Sequence, residues 1–134
     1  MFLRVVISVL SLAGPTIAQD VNNESGRDIF MSYCWQCHGM DASGNGPMAE
    51  MLAIDTPDLT LLSERNGGVF PVAHVAMRID GRAPLLAHGG EMPIFGPSLE
   101  SDQSVALRLP TGQPMIVGRP LADVLTYLES VQAD

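Results

Sequence analysis

The chain has 134 residues, of which 46% are hydrophobic and 16% are charged, and this length suits one small domain rather than two. Asp and Glu number 15 against 7 Lys and Arg, giving a formal net charge of −8, and all the basic residues are arginine. This balance disfavours binding to nucleic acid or to an anionic membrane, since both carry the same sign of charge. A partner with a basic face, or recognition through apolar contact, is expected instead.

Residues 1–18 have the pattern of an export signal. Arg4 supplies a positive charge, Val5 to Ala13 form an apolar run, and Thr16-Ile17-Ala18 ends in the small residues typical of a cleavage site. The run is far shorter than the roughly 20 apolar residues of a membrane-spanning helix. We therefore expect cleavage near Ala18, with an uncleaved anchor as the alternative. The expected product is a periplasmic protein without a membrane span, with a single domain over residues 19–134.

The first predicted helix begins near Ser25, which resembles an N-terminal cap followed by the acidic Asp28. Apolar residues and both thiols of the chain then recur at helical spacing, so one face should carry them together: Ile29, Phe30, Tyr33, Cys34 and Cys37. A second, short helix is predicted from Asp58 to Arg65, and a third from Pro71 to Ile79, ending near Gly81. The apolar stripe of the third helix consists of Val72, Val75, Ala76 and Ile79.

The last third of the chain combines an irregular stretch, a hairpin and a helix. Gly and Pro are dense from Pro84 to Pro97, which predicts irregular structure. Alternation from Ser104 to Val117 around the turn at Pro110-Thr111-Gly112 predicts a small β-hairpin, with Pro114 at its edge. A final helix should start at Pro120, with one apolar face. That face consists of Leu121, Val124, Leu125 and Leu128.

The most informative motif is Cys34-Trp35-Gln36-Cys37-His38. Its C-x-x-C-H spacing predicts one covalently attached haem c, with the two thiols bonded to the haem vinyl groups and His38 reaching the iron. A thioredoxin-like dithiol is one alternative, but it should follow a β-strand, whereas this motif lies in a helical stretch. A structural zinc site is another, but no second Cys pair or suitably spaced His pair completes four ligands.

The ligands of the iron are predicted separately. His38 binds iron only as a neutral imidazole, and its other ring nitrogen should donate to a backbone carbonyl, for which the Gly44-Asn45-Gly46-Pro47 turn is the candidate. On the opposite side Met92 is the preferred ligand, because a Gly- and Pro-rich loop with Pro93 can lay a methionine across a haem face. His88 in the same loop is its competitor.

The other methionines and histidines have less specific interpretations. His74 and Met77 lie away from the apolar stripe of their predicted helix, and His74 is expected at the surface. Met40, Met48, Met51 and Met115 are expected to be packing residues. Arg78 and Arg82 lie close to the Met92 loop and could pair with a haem propionate, although surface arginines seldom do anything so specific.

Taken together, these motifs resemble the class I c-type cytochromes, over nearly all of residues 19–134. The matching segments are Cys34 to Gly39, Gly44 to Pro47, Pro57 to Thr60, Ile79 to Gly81, Met92 to Gly96 and the final helix with Tyr127. The resemblance implies a mainly α fold of three to four helices around one haem, with His38 and Met92 as axial ligands. It also implies that the Pro47 carbonyl accepts from His38, and that Gly26 and Phe30 cross the last helix near Tyr127.

The expected function is electron transfer by a carrier that is not an enzyme, because two strong ligands leave no open position on the iron. Its donor and acceptor would be other redox proteins. One alternative is a haem subunit held in a dehydrogenase or oxidase complex, which an exposed apolar patch on the hairpin would favour. Another is a five-coordinate haem enzyme or sensor. A free monomer and a bound subunit are both compatible with the sequence.

Overall fold

A computed structural model describes residues 21–82 and 92–133 of the chain. In these ranges the α-helices are α1 (Asn23–Tyr33), α2 (Trp35–His38), α3 (Leu62–Arg65), α4 (Val72–Asp80) and α5 (Arg119–Ser130). The strands β1 (Ser104–Arg108) and β2 (Pro114–Gly118) form one antiparallel sheet, and short 3₁₀ turns occupy Ala49–Met51, Leu59–Leu61 and Gly96–Leu99. No helix within these ranges is long and apolar enough to cross a membrane. The predicted export signal and His88 lie outside the described residues.

The prediction of a mainly helical domain with a small hairpin before the last helix is confirmed. The helices outnumber the three or four expected because the first predicted helix is interrupted at Cys34, between α1 and α2. The segment predicted as one helix from Asp58 also divides, into a 3₁₀ turn and α3. Asp58 still opens it, since its carboxylate accepts from the backbone N–H of Thr60 at 2.8 Å.

The N-terminal cap of α1 is Asn22, so the prediction of Ser25 is wrong. The Asn22 side-chain oxygen accepts from the N–H of Glu24 at 2.9 Å and from that of Ser25 at 3.4 Å. The Asn22 N–H in turn donates to the carboxylate of Asp123, a buried residue of α5, at 2.8 Å. This contact from the far end of the chain selects the earlier of two residues that can both cap a helix.

Helices α1 and α5 cross in close contact, as the resemblance implied. A Cβ atom on Gly26 would lie 2.6 Å from the backbone carbonyl carbon of Asp123 and 2.9 Å from Cβ of Tyr127, so only glycine fits at the crossing. The fully buried ring of Phe30 meets the ring of Tyr127 with 5.3 Å between centroids. The predicted crossing of Gly26 and Phe30 near Tyr127 is confirmed.

The core lies between α5 and the elements packed on it. All four apolar positions predicted for the last helix are buried, as are three of the four predicted for α4. The buried residues of these two stripes are Leu121, Val124, Leu125 and Leu128 in α5, and Val75, Ala76 and Ile79 in α4. Helical periodicity therefore gives the correct packing face of both helices.

The hairpin covers one side of α5. Val105 of β1 pairs with Val117 of β2, and both side chains are buried in the core. The next inward pair, Leu107 and Met115, is half-buried, whereas Ile116 points outward and is 65% exposed. Pro114 pairs with Arg108 at the end of the sheet next to the turn, a terminal position that suits a residue unable to donate to the ladder.

Candidate functional site

The two thiols lie at the junction of α1 and α2. Cys34 is both the C-terminal cap of α1 and the N-terminal cap of α2. The N–H groups of Cys37 and His38 donate to its carbonyl, at 3.2 and 3.0 Å. Cys34 and Cys37 are therefore one helical turn apart and project from the same face. Both are free thiols and half-buried, so this face presents two sulfur atoms and the adjacent imidazole together.

The environment of Cys34 opposes ionisation. Burial, followed by the charge of the neighbouring Cys37, raises the pKa of the Cys34 thiol to about 12. A redox dithiol attacks as a thiolate and depends on a lowered pKa. The pair is also not preceded by a β-strand, because α1 leads directly into it. These two observations disfavour the thioredoxin-like alternative.

His38 is buried, with 8% of its surface exposed, and its ring orientation is fixed by a backbone carbonyl. Its Nδ1 lies 3.3 Å from the carbonyl oxygen of Pro57. Because a carbonyl can only accept, Nδ1 is the nitrogen that carries the proton, and Nε2 keeps its lone pair. Burial lowers the pKa of His38, and the bond to Pro57 opposes this to a smaller extent. The imidazole is therefore neutral at neutral pH, the form in which it binds a metal.

The predicted acceptor, the carbonyl of Pro47, is wrong. The turn that contains Pro47 presents N–H groups to α2: Gly46 donates to the Cys37 carbonyl at 3.0 Å, and Met48 donates to that of Gln36 at 2.8 Å. These bonds satisfy carbonyls at the end of the short helix, which otherwise have no intrahelical partner. Pro47 thus belongs to a turn that caps α2, and the orientation of His38 depends on another segment.

That segment is Thr56–Pro57, and Gly44 lets it approach. A Cβ atom on Gly44 would lie 2.5 Å from the Thr56 carbonyl oxygen and 3.1 Å from that of Pro57, and the residue has a φ of +86°. Both the close approach and the left-handed backbone require glycine here. The N–H of Leu59 donates to the Ala42 carbonyl at 2.8 Å and holds the two segments together.

Met92 lies in a stretch with neither helix nor strand, as predicted, and is half-buried against the core cluster. Phe95, three residues later, connects this stretch to the thiol motif. Its ring meets that of Tyr33, which directly precedes Cys34, with 5.9 Å between centroids and an edge-on geometry. The role of Met92 as a ligand stays a prediction, and so does the competing role of His88.

The other methionines are less buried than expected. Met40 and Met51 are 66% and 71% exposed, so their assignment as packing residues is wrong, and Met48 is also exposed. All three belong to the loop after α2 or to its 3₁₀ turn, where no helical periodicity defines an inner face. Met115 does pack against the core from β2, and His74 is exposed, as expected for both.

A bridge of charged residues beside the Met92 stretch is missing from the sequence predictions. Arg82 binds both Asp80 and Glu100, so it has protein partners rather than the haem propionate considered for it. Asp80 and Arg82 are close in sequence, but Glu100 is 18 residues from Arg82, and no pattern joins them. Among residues 21–82 and 92–133, no group of three or more His, Cys, Asp or Glu side chains is placed to hold a metal ion.

Comparison of the chain with models of protein families, with curated proteins and with solved structures gives no match. The assignment of a function therefore depends on the residues and contacts of this chain.

Proposed function

We propose that the protein is a c-type cytochrome that transfers single electrons, with one haem held covalently by Cys34 and Cys37. The observation that carries the proposal is a buried, neutral His38 whose Nδ1 donates to the Pro57 carbonyl, directly after two free thiols one helical turn apart. This set of donors matches the needs of thioether attachment and of axial ligation by Nε2.

Two further features of the chain support a haem. First, several apolar side chains pack against the core but stay partly exposed, and a large flat apolar group could cover them: Trp35, Leu59, Leu62, Val72, Met92 and Phe95. Second, the hydroxyl oxygen of Thr56 is buried without a hydrogen-bond partner in the part of the chain that the structure describes. It lies next to Pro57, where a polar substituent of a bound group would satisfy it.

The residues of the chain have distinct tasks in this proposal. Cys34 and Cys37 would hold the haem covalently, each thiol giving its sulfur to one carbon of a vinyl group and its hydrogen to the other. His38, through Nε2, and Met92, through its sulfur, would bind the iron, and a methionine ligand would favour a high reduction potential. When bound, the haem supplies an iron that alternates between the ferrous and ferric states. Pro57 holds the imidazole in one orientation throughout, which limits the rearrangement that electron transfer requires.

In the same proposal the carrier works in the periplasm after removal of residues 1–18, which is supported by the signal-like pattern of those residues. A partner with a basic face suits its net charge of −8. A second candidate function is a haem subunit of a dehydrogenase or oxidase complex; the outward Ile116 of the hairpin is 65% exposed, but one apolar residue is not the patch that would favour it. The native size of the protein separates the two, because a stable large complex would contradict a free carrier.

The decisive experiment is spectroscopy of the protein produced in a periplasm that attaches haem to such motifs. We expect a low-spin c-type spectrum in both oxidation states, the weak far-red band of Met–iron ligation in the ferric state, and haem that remains on the chain after denaturation. Cys34→Ala with Cys37→Ala should lose the covalent haem. Met92→Ala should lose the far-red band, whereas Met77→Ala, a matched exposed methionine, should keep it.

Other outcomes would redirect the assignment. A high-spin ferric spectrum of the unchanged protein would contradict electron transfer and support the five-coordinate enzyme or sensor. Loss of low-spin character with His88→Ala but not with Met92→Ala would make His88 the ligand. A chain that carries no haem at all under these conditions would reject the proposal as a whole.

A further inference from the structure

The stretch that carries Met92 is joined to the end of α4 by one guanidinium group. Arg82 donates from Nη2 to Asp80 Oδ1 at 2.7 Å and from Nε to both oxygens of that carboxylate, at 3.0 and 3.2 Å. Its Nη1 donates to Oε1 of Glu100. We call these three residues the Arg82 bridge. Two of its members precede Met92 in the chain and the third follows it.

Backbone contacts beneath the Arg82 bridge bring the same two segments together. The N–H of Phe95 donates to the Ile79 carbonyl at 3.1 Å. A Cβ atom on Gly96 would lie 2.6 Å from Oδ1 of Asp80 and 2.7 Å from its backbone oxygen, so the segments touch at a position where only glycine fits. The end of α4 and the Phe95–Gly96 segment are therefore packed directly against each other.

From these contacts we infer that Arg82 is a positioning residue for Met92: by binding Asp80 and Glu100, it holds the Met92 stretch in the place from which the thioether reaches the iron. This inference rests on the proposed function, because it takes Met92 as the distal ligand. It concerns the strength of the Met–iron bond and assigns Arg82 no contact with the haem itself.

The chemistry of arginine suits this task. Its planar fork binds a carboxylate through two parallel bonds and has a further donor for a second carboxylate, a geometry that lysine cannot reproduce. Exposed ion pairs contribute little to the stability of a whole domain. The Arg82 bridge, however, acts on a local opening in which residues 92–96 leave α4, and such openings have their own, smaller free energy. A modest contribution from the Arg82 bridge is therefore a large share of the free energy of this local opening.

The test uses the haem-loaded protein and exogenous imidazole, which displaces a methionine from ferric iron and removes its far-red band. Arg82→Gln removes the bridge, and we expect half-displacement at a roughly five-fold lower imidazole concentration than in the unchanged protein. Arg78→Gln is the matched control, because Arg78 is an exposed residue of α4, close to Arg82 in sequence, and the substitution removes the same charge. Arg78→Gln should leave the imidazole concentration for half-displacement unchanged.

Two additional measurements separate positioning from general destabilisation. Hydrogen exchange of the Phe95 amide, which donates to Ile79, should be faster in Arg82→Gln by a similar factor, while amides in the middle of α5 keep their rates. Glu100→Gln should accelerate exchange of the Phe95 amide and lower the imidazole concentration for half-displacement, both by smaller factors than Arg82→Gln. Arg82→Lys should require an imidazole concentration between those of Arg82→Gln and the unchanged protein. In 1 M salt, which screens the Arg82 bridge, the concentration for the unchanged protein should fall towards that for Arg82→Gln.

The outcomes distinguish this inference from the proposed function. If the unchanged protein has no Met–iron band that depends on Met92, the proposed ligation fails and takes this inference with it. If the band is present but Arg82→Gln and Arg78→Gln require the same imidazole concentration, the proposed function stands and the role of Arg82 is rejected. Equal acceleration of exchange throughout α5 would reject it as well, because the effect would then be global.

Discussion

The ring of Tyr33 meets the ring of Phe95 edge-on, with 5.9 Å between centroids and 61° between planes. Tyr33 ends α1 directly before Cys34, and Phe95 follows Met92 by three residues, so this pair joins the thiol motif to the stretch with the proposed distal ligand. The contact supplies a side-chain link between two parts of the site that are some sixty positions apart in sequence.

This pair predicts a measurable coupling. In a double-mutant cycle of Tyr33→Leu and Phe95→Leu, the interaction between the two rings should contribute about 1 kcal/mol to the free energy of unfolding, the usual value for aromatic pairs. Chemical denaturation of the four proteins gives the number. A cycle that closes to zero, with the two substitutions strictly additive, would show that the rings are neighbours without an energetic link.

The crossing of α1 and α5 predicts a strong effect of a single methyl group. Gly26→Ala places Cβ against the backbone of Asp123 and against Tyr127, and should destabilise the protein by about 1–3 kcal/mol, the range for overpacked interiors. Ser25→Ala, at the adjacent and less buried position of the same helix, should change stability by less than about 0.5 kcal/mol. Thermal unfolding of both variants is sufficient. A tolerated Gly26→Ala would mean that the helices can separate at little cost.

The Arg82 bridge predicts a specific dependence on pH. The hydrogen bond from Arg82, aided by its charge, holds the pKa of Asp80 below its usual value near 3.8. A carboxyl group with a lowered folded-state pKa stabilises the protein fully above its unfolded value, and this stabilisation is lost as pH falls through the lowered value. Asp80→Asn should therefore unfold more easily than the unchanged protein near neutral pH, and the difference should shrink below pH 3.8.

Thermal midpoints of both proteins between pH 2.5 and pH 7 test this. Asp28→Asn serves as the control, since Asp28 is exposed and its carboxylate has no ion-pair partner among the described residues. A difference between the unchanged protein and Asp80→Asn that stays constant over the whole range would show that the carboxylate charge of Asp80 is not the source of stabilisation.

The hydrogen bond from His38 Nδ1 to the Pro57 carbonyl predicts an effect of substitution at Gly44. Gly44→Ala should cost about 1–2 kcal/mol, because alanine is strained at a φ of +86°. It should also push the Thr56–Pro57 segment away from His38 and lengthen the bond from Nδ1. A ligand that donates a weaker hydrogen bond is less basic, so the reduction potential of the loaded protein should rise. Gly67→Ala, at a φ of +70° with open space around it, is the control for backbone strain alone. If both variants have the unchanged potential, Pro57 does not tune the ligand.

Patterns along the sequence predict the helices and their inner faces well. The stripes of α4 and α5 follow from a spacing of three and four residues, and each of these helices also has a clear end, such as Gly81 with a φ of +69° after α4. The C-x-x-C-H motif is also local, so the position of the thiols one turn apart follows directly. These features depend on residues within a dozen positions of one another.

Features that depend on the path of the chain cannot be read in this way. Pro47 and Pro57 both lie within reach of His38 along the sequence, and only the folded path decides that the carbonyl of Pro57 meets Nδ1. Asn22 and Ser25 are both good caps, and Asp123, 101 residues from Asn22, decides between them. The ion pair between Glu100 and Arg82 also depends on the folded path of the chain. A loop without periodicity gave no indication that Met40 and Met51 face the solvent.

The pairing of the first helix with the last has a consequence for how the protein is made. Synthesis proceeds from the N-terminus, so α1 is made long before α5, and Gly26 and Phe30 lack their partners in α5 until residues 119–130 are made. Throughout that interval the thiols that follow α1 belong to an unfolded, accessible chain. Other molecules can therefore reach Cys34 and Cys37 during this period. The period ends when α5, the last helix, of twelve residues, packs against α1.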